Sequence, residues 1–454
     1  MGFAKDAERI MIVGAIGYDF HFFNRVLRKD PTKEVVAFTY ASEQNVGTTG
    51  DGVRTYPAEI AGELYPEGIP MFPVSRLQEL IRTEKPDAVY LAYSDLSSKK
   101  VMEFGQRVQA AGAEFRLPDP WKTMIPVESI PVTAVCAVRT GCGKSQVSTR
   151  LMKILKKNGK KAIAVREPMP YGDLVQQRAM RFSTMGDMVT HQSTVEEREE
   201  YEQYVEQGLV IWSGVDYETI LEGVLEENPD VLHFDGGNNE VPFYVPDILF
   251  TVVDPLRPGH ENEYYPGGVN LRMADYIIVN KVNNATDEQI ATVRKSVQAT
   301  NPNAGIIYTD SVVTADITTG EIAGLGVLVI DDGPTLTHGG MAFGAGYVAT
   351  KQKNGFIIDP KPYLRGSLEK TFEEFSHLDR VVPAMGYSPE QLQDLEDTIN
   401  AAQCTFVVSG SPIDLARLIN VNKPIVRARY HIEERTDRGE GLTIEGVLRS
   451  EKII

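Results

Sequence analysis

The chain has 454 residues, of which 42% are hydrophobic and 24% charged, and its formal net charge is -17. Such a length exceeds one ordinary core and predicts roughly two to four domains. The acidic balance argues against an extended surface for nucleic acid or anionic membrane, both of which need a basic footprint, and no apolar run reaches the roughly 18 residues that cross a bilayer.

Three cysteines, Cys136, Cys142 and Cys404, lack any paired metal-ligand spacing, so neither a disulfide framework nor a zinc site is expected. The first residues carry no signal-peptide apolar core, and a cytoplasmic location is expected.

Residues 10–13 read as a short buried strand, followed by Gly14-Ala15-Ile16-Gly17-Tyr18-Asp19-Phe20-His21 and an apolar helix face. Residues 34–40 and 87–92 read as further strands with a helix over 74–82 between them, the alternation of a parallel α/β unit. Gly14 and Gly17 supply half of a dinucleotide fingerprint, without its third glycine. Either a tight, ligand-free turn or a small-anion or nucleotide site fits. Asp19 and His21 are open to chemistry or to capping and packing. Four prolines within residues 118–131 then mark a domain boundary near residue 126.

Residues 132–138 form an apolar run that enters Arg139-Thr140-Gly141-Cys142-Gly143-Lys144-Ser145-Gln146 and then a helix face at Val147, Leu151, Met152 and Leu155. Strand, glycine loop and helix follow in P-loop order. Thr140 to Gln146 can cradle phosphates, with Lys144 on the terminal phosphates and Ser145 on Mg²⁺. Val138 stands where the full motif has its first glycine.

The strand over 161–165 ends in Arg166, and the loop to Asp173 lies at the edge where parallel sheets bind ligands. A capping box at Thr194 and Glu197 opens an acidic helix over 195–207, whose glutamates are expected on a solvated face. Residues 230–235 end in Asp235 followed by Gly236 and Gly237, the Walker B arrangement about 90 residues beyond the P-loop, with Asp235 as a second Mg²⁺ anchor.

Further strands at 247–253 and 276–280 lead into loops carrying Arg257 and His260, and Asn280-Lys281-Val282-Asn283. This tetrapeptide differs from the guanine-reading N-K-x-D at Asn283, whose amide is a poorer match to guanine than a carboxylate. The segment 331–346 holds Thr335, Thr337 and His338 among many glycines and suits an anionic ligand. A helix over 388–402 and strands at 405–408 and 424–430 close the pattern, with a charged, peripheral tail beyond Ile432.

These segments together resemble a prokaryotic family of P-loop GTPases commonly labelled cyclic 2,3-diphosphoglycerate synthetase. The resemblance implies an α/β chain in three parts. These are a Rossmann-like domain (1–126), a P-loop NTPase domain of the SIMIBI class (127–350) and an α/β carboxy-terminal extension packed on it (351–454). It implies Mg²⁺ with ATP or GTP as cofactors and Asn280, Lys281 and Asn283 near the base. Lys144, Asp235, Arg139 and Arg166 would act on a small anionic phosphorylated metabolite, closing an internal phosphoanhydride. Asp173, Arg257, His260, Arg272, Thr335, Thr337 and His338 are the substrate candidates. Two bound phosphates call for several guanidinium groups. A regulatory or chaperone-type GTPase acting on a protein partner is the alternative, a nicotinamide dinucleotide-binding protein a third reading, and self-association is compatible with each.

Overall fold

The computed structural model describes residues 2–41, 54–167, 170, 172–237, 240–337, 339–385 and 388–454. His338 lies outside them, as do Pro168, Met169 and Tyr171 of the loop after Arg166 and Asn238 and Asn239 of the loop after Asp235.

The amino-terminal sheet has six strands in the order 54–56, 69–73, 33–40, 8–13, 88–91 and 114–116. All neighbours are parallel except the first pair. From Glu8–Val13 the chain builds outward first to Lys33–Tyr40 on one side and later to Ala88–Leu91 on the other. A crevice therefore opens at the carboxyl ends of Glu8–Val13 and Ala88–Leu91, where loops on opposite faces diverge.

The P-loop strand Val132–Ala137 is buried at every residue and lies between Val231–Asp235 and Ile248–Val253, parallel to both. The sheet extends on one side through Ala162–Arg166 to Val210–Ser213 and on the other through Tyr276–Val279 to Gly305–Ala315. That last strand was not expected, although Ile306, Ile307, Tyr308, Thr309, Val312 and Val313 are good strand formers. Its first residues pair in parallel with Tyr276–Val279, and Thr309 to Ala315 pair antiparallel with the strand Ile425–Glu434. One continuous sheet thus joins the P-loop strands to the carboxy-terminal ones.

The strand Gly326–Asp332, which the sequence reading groups with the P-loop part, pairs with Phe356–Ile357, Val381–Ala384 and Phe406–Ser409 of the carboxy-terminal part. The tail beyond Ile432 is not peripheral. Ile444, Val447, Leu448 and Ile453 are buried in the same core as Val147, Leu151 and Leu155 of the P-loop helix. Their spacing gives the helix Ile444–Ser450 an apolar stripe that has to be covered.

Candidate functional site

Gly141 and Gly143 have φ of 80° and 99°, which only glycine adopts freely, and the helix Lys144–Lys157 starts directly after them. The loop is held from behind. Asn280 Nδ2 donates to the Cys142 carbonyl at 3.0 Å, and Lys281 Nζ donates to the Gly141 carbonyl and to Asp254 at 2.8 Å. Arg257 braces the same turn, donating to Asp254 at 3.1 Å and to the Gly339 carbonyl at 2.8 Å. Val138 needs no glycine because the close approach comes from its neighbour. A Cβ on Gly267 would lie 2.0 Å from the Val138 carbonyl oxygen.

In front of the loop lies a cavity of about 560 Å³, a volume suited to a nucleotide and a small substrate. Thr140, Gly141, Cys142, Gly143, Lys144, Ser145, Gln146, Arg139, Arg166, Lys281, Thr335 and Thr337 all line it. Lys144 is only 8% exposed, and burial, then the Arg166 charge, lowers its pKa.

Asp235 lies behind this wall, fully buried. Arg166 donates to its Oδ2 at 2.5 Å, Tyr204 to the same oxygen at 2.7 Å and Ser148 to Oδ1 at 2.8 Å. Burial alone would raise its carboxyl, but Arg166 overcomes that and holds it at about 2. Arg166 in turn pairs with Glu200 at 2.6 Å. Arg139 donates to His260 Nδ1 at 2.9 Å, stacks over the Tyr264 ring at 3.8 Å and lies 3.5 Å from Asp95. Burial and the Arg139 charge push the His260 ring down to about 4, so it is a neutral acceptor.

Several expected site residues lie elsewhere. Asp173 is exposed and caps its own turn, accepting from Val175 and Gln176 N–H. The Arg272 guanidinium bonds the Gly268 carbonyl four residues back, on the surface. Asn283 exchanges two bonds with the Ser311 backbone, at 2.9 and 3.0 Å, and Asn280 is fully buried between Cys142 and Thr309. Both asparagines fasten the loops, and neither lines the cavity; Gly236 sits behind the wall as well. His21 packs, stacked 4.2 Å from Phe243 with Nε2 on the Thr123 carbonyl, and burial pushes its ring down to about 3.

The expectation of a solvated glutamate face on the helix Val195–Val205 is overturned. Glu197, Glu199 and Glu202 are buried, Glu199 accepts from the Ser411 hydroxyl at 2.6 Å, and Glu199 and Glu200 line the cavity. Asp19, Asp95, Glu167 and Glu240 also line it. The amino-terminal turn is tied in by Tyr18 N–H, which donates to Glu167 at 3.0 Å. Asp19 apart, nothing in the local pattern marks the carboxylates of this wall: Glu199 and Glu240 take their partners, Ser411 and Ser94, from distant parts of the chain.

This cavity belongs to a chain with a close relative. Over 431 residues, 95% of this chain and 94% of the other, it is 48% identical to the arginine synthetase ArcE of Thermococcus kodakarensis. The chain belongs to the ArcE family. The family expected from the motifs is matched weakly, with 24% identity to the cyclic 2,3-diphosphoglycerate synthetase of Pyrococcus furiosus over 82 residues, 18% of this chain and 19% of that one. Among solved structures, LpxK from Aquifex aeolicus in complex with ATP gives a TM-score of 0.38 at 12% identity, covering 73% of this chain and 89% of that one. No family model matches the chain. Among the described residues no helix is long and apolar enough to cross a membrane.

Proposed function

We propose that this chain is an ATP-dependent ligase that forms a carbon–nitrogen bond on an amino acid, with arginine as its product. The observation that carries this reading is the charge of the cavity. Among the described residues eight Asp and Glu side chains line it against five Lys and Arg, and three of those cations, Arg139, Arg166 and Lys281, already pair with carboxylates. A bisphosphorylated acid would meet net repulsion there, whereas an amino acid or a guanidino group brings the missing positive charge. The 82-residue likeness to a cyclic 2,3-diphosphoglycerate synthetase supports the second reading, phosphoanhydride closure, less than this lining opposes it.

A guanidine differs from a urea by one nitrogen in place of one oxygen. Phosphoryl transfer from ATP to the ureido oxygen makes that oxygen a leaving group. Attack by ammonia on the central carbon, with loss of a proton, then expels phosphate and leaves arginine and ADP. Lys144 neutralises the terminal phosphates during transfer, and Arg166, oriented by Asp235 and Glu200, adds positive charge at the same sheet edge. Mg²⁺ would neutralise the phosphates further, with Ser145 in the cavity wall as its protein ligand, as this ion is bound with nucleotide through few protein groups; Asp235, its oxygens held by Arg166, Tyr204 and Ser148, stays behind the wall. ATP is favoured over GTP because Asn283 is committed to the Ser311 backbone and offers guanine no carboxylate.

The test supplies the full chain with Mg²⁺, ATP or GTP, a ureido amino acid and ammonium, and follows arginine and nucleoside diphosphate together. One ADP per arginine is the expected result, and Lys144→Ala should lower turnover by about a hundredfold or more with unchanged circular dichroism. Turnover that requires 2,3-diphosphoglycerate and makes no arginine would move the assignment to the second reading.

A further inference from the structure

Glu240 follows the strand Val231–Asp235, is 3% exposed and lines the cavity. Ser94, on the loop after Ala88–Leu91, donates to its Oε1 at 2.5 Å. Its Oε2 is buried and has no hydrogen-bond partner among the described residues, and no Lys or Arg there forms an ion pair with it. Asp19, on the helix that follows Glu8–Val13, lines the cavity too, with its Oδ1 accepting from Ile16 and Phe20 N–H at 2.8 and 2.7 Å. The Glu240 charge acts on both Asp19 and Lys144. Burial, with an added push from Glu240, raises the Asp19 carboxyl to about 7.

An unpartnered carboxylate oxygen in a buried wall is costly, and the cost is removed by a cation that carries N–H donors. The position is also one where ligands bind. Ser94 stands on one of the two connections that leave the crevice at which the strand order of the amino-terminal sheet reverses, and Asp19 stands in the first turn of the helix Tyr18–Phe22 at the end of the other.

We propose that Glu240, with Asp19 and the Ser94 hydroxyl beside it, forms the subsite for a protonated nitrogen of the amino-acid substrate or product. The amino-terminal sheet is then the substrate-binding unit, set opposite the P-loop across the cavity. This assignment rests on the reading of the substrate as an amino acid. An ammonium and a guanidinium both offer the N–H donors that two carboxylates accept.

Calorimetry on the full chain, loaded with Mg²⁺ and a non-hydrolysable ATP analogue, tests it with four probes. These are L-arginine, its analogue without the α-amino group, L-citrulline and n-propylammonium. Glu240→Gln keeps the Ser94 contact and, at saturating nucleotide analogue and with cooperative unfolding retained, should weaken arginine binding by about tenfold or more. If the loss disappears with the deaminated analogue, the α-ammonium is the group held. If it disappears with citrulline, the guanidinium is. Asp19→Asn, which retains the Oδ1 acceptor, gives the same test should Glu240→Gln fail to fold. Arginine binding that is unchanged in both variants would overturn the subsite and leave the arginine reading standing. Wild-type binding of n-propylammonium without arginine would keep the subsite and remove that reading, and binding of neither would remove both.

Discussion

Arg166 donates to Asp235 and pairs with Glu200; Arg166 and Asp235 are buried, and Glu200 is partly exposed to the cavity. Removing the guanidinium while keeping its bulk, as in Arg166→Met, leaves Asp235 buried without its cation. Stability should fall by about 3–5 kcal/mol, measured by denaturant unfolding at neutral pH. The pH dependence follows from the depressed carboxyl. Asp235 binds its proton less readily folded than unfolded, so its contribution is present above the ordinary carboxylate range and is lost as pH falls toward about 2. In Arg166→Met burial is no longer offset by the guanidinium, the carboxyl is no longer held low, and that acid loss should shrink or disappear. An unchanged acid limb would show that another group holds Asp235 ionised. The same residue-scale chemistry explains what was legible beforehand. Lys144 and Ser145 are recognisable because a phosphate loop needs those residues at that spacing, whereas Glu240 looks like any surface glutamate until Ser94 and the cavity are beside it.

At the scale of elements, the P-loop is a supported turn. Asn280 and Lys281 tie it from behind, and the helix Gly267–Met273 presses on its entrance through a residue with no side chain. Gly267→Ala would set a Cβ 2.0 Å from the Val138 carbonyl oxygen, a clash with backbone that cannot swing away. It should cost about 1–3 kcal/mol and weaken nucleotide binding, read by thermal unfolding and by titration with ATP. Full binding at wild-type stability would show that the helix can retreat. The acidic helix Val195–Val205 gives the opposite lesson. Its capping box at Thr194 and Glu197 was readable and is present. Glu199 and Glu200 turn inward because their counter-groups, Ser411 and Arg166, come from the loop after the strand Phe406–Ser409 and from a neighbouring strand.

For the whole molecule, the cores do not follow the linker. Ile10, Phe20, Phe38 and Tyr56 of the amino-terminal part share one apolar cluster with Val132, Phe234, Phe243 and Tyr244 of the P-loop part. Across the same seam Arg28 pairs with Asp216 at 2.9 Å, both largely buried. The proline-rich segment is therefore a covalent boundary without an energetic one. Calorimetric unfolding should show these two parts melting in one transition, shifted upward together by nucleotide. A separate, nucleotide-insensitive transition would contradict that coupling.

The alternation of strands and helices, the P-loop and the aspartate after Val231 were legible in the chain because each rests on contacts a few residues apart. Turn conformation, helix periodicity and capping boxes all have that range. The cavity wall has another origin. Tyr18 reaches Glu167 from 149 residues away, Ser94 reaches Glu240 from 146, and Ser411 reaches Glu199 from 212. A carboxylate acquires its burial and its charge state only when such distant partners close around it, so the P-loop was legible in the chain and the carboxylate-lined wall opposite it was decided by the tertiary structure.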